Sequence, residues 1–151
     1  MILYHYTSLY HLEMILKDGY LKLTNSNLIE PKDAHIENGN VVSSTDSYKP
    51  VVWFSSLFDF DKAGDCGLSG SIVDKTEVAI HIDTADFPLF PFYKWTDWAI
   101  KNNIEKAWFE TLKRTAPLWD TFYVCESKIA LPKKECIIIR PDMMKYIHER
   151  R

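Results

Sequence analysis

No stretch of this 151-residue chain approaches the roughly 20 consecutive apolar residues that a membrane-spanning helix requires. The N-terminus lacks a basic segment followed by an apolar run, so no secretory signal is expected and a cytoplasmic location is. Cysteine is scarce. Cys66, Cys125 and Cys136 are an odd set with no CxxC spacing, which argues against a disulfide framework or a thiolate zinc site and for reduced thiols. His11, His35, His81 and His148 are too scattered to suggest a metal site. Neither GxGxxG nor GxxxxGK[ST] occurs, which removes the common phosphate-cradling folds. Charge is nearly balanced. A net −3 is too small, and of the wrong sign, to draw the chain to nucleic acid by its field alone. Lys133-Lys134 and Arg150-Arg151 read as solvated basic patches, and no repeat or low-complexity tract is present.

Apolar residues are plentiful at 46%, enough for a core of one ordinary domain, and disorder is not expected. Aromatics reach 14%, with five Trp. They predict either a bulky core or a cleft lined for a flat ligand.

Ile2 to Tyr6 reads as a short strand, and Thr7 and Ser8 supply hydroxyls suited to a helix start. Leu9, Leu12 and Leu16 set a helix over Leu9 to Asp18, closed by Gly19. Tyr20 to Thr24 alternates like a strand. A long polar connection then runs from about Asn25 to Lys49. Pro50 to Ser55 predicts a buried strand, Phe58 to Gly70 an irregular loop, and Thr76 to Asp83 an alternating strand. Pro88 and Pro91 interrupt the chain. Thr96 is placed to cap a helix through Trp98 and Ile100, and Glu105 to Arg114 predicts another. Thr121 to Leu131 and Glu135 to Arg140 read as strands, followed by a helix from Asp142 to Glu149. Strands follow strands in runs, so an α+β class is expected rather than regular βαβ alternation.

His5 ends the first strand just before a capped helix, where an imidazole can hold a ligand hydroxyl or simply satisfy the backbone. The segment Leu3-Tyr4-His5-Tyr6-Thr7-Ser8, followed by Leu12, Ile15-Leu16, Gly19 and Leu21, resembles the first motif of the ADP-ribosyltransferase superfamily in its His-Tyr-Glu branch. Val51-Val52-Trp53-Phe54-Ser55 is similar to the second motif, with Trp53 where the family has a stacking Tyr. Tyr123-Val124-Cys125-Glu126 to Pro132 is similar to the third, which carries the catalytic Glu. The chain departs from the family at Tyr6, where many members have Gly, and at Lys128, where many have a second Glu.

The resemblance implies a split mixed or antiparallel sheet flanked by helices, with NAD as substrate. It gives His5 a ribose hydroxyl, the Tyr6 main chain the nicotinamide amide, and Trp53 the nicotinamide ring. Thr7 and Ser55 would add hydroxyls. Phe58 or Phe60 would be the second stacking ring. Glu126 would hold the nicotinamide ribose as the glycosidic bond breaks. Asp120 is an alternative acid, and an absent acid is the third. The implied activity is ADP-ribosyl transfer to an acceptor, with protein favoured over nucleic acid, or NAD hydrolysis, with neither membrane nor metal. The competing reading is an inactive nucleotide- or protein-binding module, suited to a phage or bacterial effector. An RNA 2′-phosphotransferase-like enzyme is a weaker third, because neither His11 nor His81 has a neighbouring Arg. Cys125 reads as a packed strand residue rather than a nucleophile.

Overall fold

The computed structural model describes residues 1–23, 34–37, 40–43, 50–62, 75–104, 106–131 and 136–149. Strand β1 (Ile2–Thr7) leads into helix α1 (Leu9–Asp18). Ser8, not Thr7, caps that helix: its Oγ accepts from the His11 N–H at 3.0 Å. Gly19 ends it at φ +80°, and its N–H donates to the Ile15 carbonyl at 2.8 Å. The chain continues through β2 (Tyr20–Leu21), β3 (Ala34–Glu37), β4 (Asn40–Ser43), β5 (Val52–Ser55), β6 (Val78–Asp83) and β7 (Phe92–Lys94). Helices α2 (Trp95–Lys101) and α3 (Lys106–Thr115) follow, then β8 (Phe122–Cys125), β9 (Ile129–Ala130), β10 (Ile137–Ile139) and α4 (Met144–Glu149).

Six strands form one sheet in the order β10-β6-β1-β5-β8-β7, and every registered pairing in it is antiparallel. The chain is therefore an α+β protein. β2 and β9 form a separate pair, as do β3 and β4. Strand alternation sorts the side chains to two faces. On one face Leu3, Val52, Phe54, Val78, Ile80, Ile82 and Cys125 pack with Leu12 of α1. On the other, Val51, Phe122 and Val124 pack with Trp95, Trp98 and Ala99 of α2 and Leu112 of α3. Tyr4 and Tyr6 share this second face with Ala79 and Phe60.

Several sequence expectations need correction. The connection from Asn25 to Lys49 contains an antiparallel pair, β3 with β4, in the register Glu37↔Asn40. In sequence the two strands are separated by Asn38-Gly39, a pair favoured in two-residue hairpin connections. The strand expected over Thr121 to Leu131 is two strands. β8 stays in the main sheet, the chain bends at Glu126-Ser127, and β9 pairs instead with β2. The second strand is shorter than expected, Tyr20–Leu21. β7 was not anticipated behind Pro91. α2 begins at Trp95, with Lys94 rather than Thr96 at its cap position.

The left-handed Gly19 gives a clean test. A Cβ built there meets nothing within 4 Å, so Gly19→Ala carries only the backbone penalty. Equilibrium urea unfolding should show a loss of about 1–2 kcal/mol with an unchanged m value.

Candidate functional site

The three segments that carry the family resemblance lie on adjacent strands at the middle of the sheet, β1, β5 and β8. β1 and β5 share a single registered pair, Tyr4↔Ser55. Continuing that ladder would set Tyr6 opposite Trp53. Instead the His5 side chain spans the two strands, with Nδ1 2.8 Å from the Trp53 carbonyl oxygen. A carbonyl only accepts, so Nδ1 carries the proton and donates. Burial pushes the imidazole below its ordinary pKa. The bond to the Trp53 carbonyl works the other way, and Lys75 and His11 add to the lowering. Burial prevails, and the ring is neutral at pH 7. Its remaining nitrogen, Nε2, is then a lone-pair acceptor, and among the described residues no group donates to it. That is the state an imidazole needs to receive a ligand hydroxyl.

His5 and Trp53 do not meet side chain to side chain. Register places Leu3, His5 and Thr7 of β1 on the α1 face, as it does Val52 and Phe54 of β5. Position 53 must therefore point the other way. The imidazole stands edge-on to Phe54, ring centroids 5.9 Å apart. The Trp53 indole lies on the opposite face against Trp95 and Phe122, with centroids at 6.5 and 6.2 Å. The two rings thus stand on opposite faces, linked through the Trp53 main chain where the registered β1–β5 ladder ends.

Glu126 does share a face with Trp53. Trp53 pairs with Val124 and Val52 with Cys125. Carrying the register one residue further sets Glu126 beside Val51, diagonal to Trp53, a relation usually spanning about 7–8 Å between Cα atoms. Glu126 stands where the chain leaves the main sheet, and its Oε1 accepts from the Trp98 indole N–H at 2.9 Å. Asp120 is exposed in the 3-10 turn Trp119–Thr121, before β8 and thus at the other end of that strand from Glu126. Lys128, at the position of the family's second Glu, holds its ammonium 4.4 Å from the centre of the Tyr20 ring and braces β9 against β2.

The remaining candidates are structural in large part. The Ser55 hydroxyl is buried in a chain of bonds whose directions are fixed. Leu57 N–H donates to Ser55 Oγ, Ser55 Oγ–H to Thr121 Oγ1, and Thr121 Oγ1–H to the Leu118 carbonyl. Its proton and one of its lone pairs are thus already taken within the fold. Phe60 does not face Trp53. It packs edge-on against Tyr6 and Phe58, and it lines an open depression with Asp61, Thr76 and Arg140. Phe58 stacks on Tyr4 at 5.0 Å. A ring sandwich of Trp53 with either Phe is thus not formed. The Tyr6 hydroxyl donates to the Leu57 carbonyl and accepts from Asp59 N–H, tying the loop after β5 under β1. The Thr7 side chain is buried beside Val78. Cys125 is fully buried, and burial pushes its thiol up, which suits packing rather than attack.

Sequence reasoning missed Trp98 as a partner of Glu126. The available signal was chemical, since a Trp in a packed helix must find an acceptor for its N–H. Among the described residues no cluster of three His, Cys, Asp or Glu side chains stands ready for a metal, and no helix is long and apolar enough to cross a membrane.

Two measurements check this geometry. Ser55→Ala should cost about 1–3 kcal/mol in urea unfolding, because the Leu57 N–H loses its acceptor and Thr121 Oγ1 its donor. For His5, a folded pKa below the unfolded value means the unfolded chain binds more protons as pH falls. Its stabilising contribution is complete above the unfolded pKa of about 6.5 and is lost as pH falls through the lowered folded pKa. His5→Asn should flatten the fall in stability seen below about pH 6.5. His11, also lowered by burial, adds the same sign and leaves a residual slope.

Compared with known proteins, the chain matches no family model, no curated protein and no solved structure.

Proposed function

We propose that this protein binds NAD and cleaves its nicotinamide–ribose bond, transferring ADP-ribose to an acceptor or to water. One observation carries the reading: the three motif segments occupy the adjacent strands β1, β5 and β8, and His5 bridges the first two where their ladder stops. In this reading the His5 Nε2 accepts a ribose hydroxyl at the gap. Trp53 offers part of its indole to the nicotinamide. Glu126 stabilises the positive charge that develops on the nicotinamide ribose as the C–N bond lengthens. Nicotinamide departs with the bonding pair, and the acceptor oxygen or nitrogen attacks the anomeric carbon and gives up its proton. Protein is the favoured acceptor, because the net charge of −3 supplies no field for nucleic acid.

A second reading has a specific observation behind it. The imidazole and the indole stand on opposite faces of the sheet, and neither Phe58 nor Phe60 packs on the Trp53 ring. In that reading the domain holds a nucleotide or a partner protein without turning it over.

Incubation with NAD separates the two. The enzyme reading expects free nicotinamide from the parent protein, a drop of roughly 100-fold or more for Glu126→Gln, and weakened NAD binding for His5→Ala. NAD binding without release, unchanged by Glu126→Gln, favours the module. Neither binding nor release removes the nucleotide altogether.

A further inference from the structure

The open depression beside Phe60 plays no part in the NAD reading. Its volume is about 730 Å³, within the range of sites that hold a small ligand. Phe60 and Asp61, from the loop after β5, line it together with Thr76 and with Arg140, Pro141 and Asp142, which follow β10. Both contributing segments are fastened. Asp59 N–H donates to the Tyr6 hydroxyl at 3.1 Å, and Asp59 Oδ1 accepts from the Asp61 and Lys62 N–H groups at 3.0 and 3.3 Å. The Arg140 N–H extends the β10–β6 pairing to the Glu77 carbonyl at 2.9 Å, and Met143 N–H closes the next turn on the Arg140 carbonyl at 2.8 Å. We infer that this depression takes an arginine side chain from a partner protein, whether or not NAD is turned over.

Charge decides the sign of the occupant. Two carboxylates and one guanidinium line the depression. The guanidinium is engaged within the fold: Nε donates to Asp142 Oδ1 at 2.6 Å, and Nη1 to the Thr76 carbonyl and hydroxyl at 3.2 and 2.8 Å. An anion arriving there would meet Asp142 as a like charge. The Asp61 carboxylate is exposed and makes no hydrogen bond or ion pair among the described residues. The Asp142 side chain is 62% exposed and gives one oxygen to Arg140, so its other oxygen remains an acceptor. The lining therefore carries an excess negative charge. It also carries apolar surface, from Phe60 and Pro141, which a bare metal ion could not use. A long aliphatic stem with a cationic tip matches both features, the stem lying on apolar surface and the tip reaching the carboxylates. Arginine fits better than lysine, because its weakly hydrated planar head suits carboxylate and aromatic surface alike. Because the depression is open, a residue carried on a polypeptide can enter it while its main chain stays outside.

Titration of the 15N-labelled protein with acetyl-arginine-N-methylamide tests this. The amide resonances of Asp61, Thr76 and Asp142 should shift together and saturate. The matching citrulline compound, of the same shape without the charge, should bind about ten-fold more weakly, and Asp61→Asn should weaken the arginine compound about five-fold with the rest of the spectrum in place. Equal binding of the two compounds, or an affinity unchanged by Asp61→Asn, overturns the charge recognition. Shifts confined to other residues, or none, overturn the site. Agmatine binding at these residues where the arginine compound does not would assign the depression to a free polycation and overturn the protein partner.

Discussion

The bond between His5 Nδ1 and the Trp53 carbonyl organises the centre of this protein. β1 and β5 pair at Tyr4 and Ser55 and then cease to form a regular ladder. A backbone carbonyl left at such a place would lose a donor, at a cost on the order of 1–3 kcal/mol if buried. The imidazole supplies a donor to that carbonyl where the registered ladder has ended. The same bond decides the tautomer. Because Nδ1 must donate, the neutral ring presents a lone pair on Nε2. The bond that ties His5 to β5 thus also leaves an acceptor on its other nitrogen.

The two faces of the sheet divide the work. The α1 face is aliphatic at its centre, with Leu3, Ile80 and Ile82 fully buried. The opposite face is aromatic, with Trp53, Trp95, Trp98, Phe109 and Trp119 gathered under α2 and α3. Four of the five Trp in the chain gather here. Trp95 alone contacts Trp53, Phe109 and Trp119. Lys113 caps this cluster, its ammonium 4.5 Å from the Trp119 ring and 4.8 Å from Phe109. Trp53 and Glu126 both border this aromatic cluster, Trp53 by packing and Glu126 through the Trp98 N–H.

Much of the fold was legible because local rules agree with it. Ser8 and Gly19 bound α1 with the chemistry expected of a cap and a left-handed stop. The alternation of Val78, Ile80 and Ile82 marks β6, and all three are buried. What escaped local reading depends on partners distant in sequence. The run from Thr121 to Leu131 has uniform strand character, yet it divides, because β8 is bound by β5 and β7 while β9 is bound by β2. Nothing inside that run states where one set of partners ends and another begins. β7 is three residues long and gains its strand state from β8.

The candidate site divides along the same line. The residue types at positions 5, 53 and 126 were visible in the order of the chain, and so was the chemistry each could perform. Which side of the sheet each points to was not, because facing follows from register, and register between β1 and β5 is set by one long-range pair, Tyr4 with Ser55. A shift of one residue there would have put indole and imidazole together. The sequence by itself determined the α+β class, the helix ends and the candidate groups, all of which depend on near neighbours. Only the tertiary structure decided that Ser55 is consumed by Thr121, that Phe60 stands with Tyr6, and that Glu126 is held by Trp98. Each of those is a contact between segments whose meeting depends on how the whole sheet is assembled.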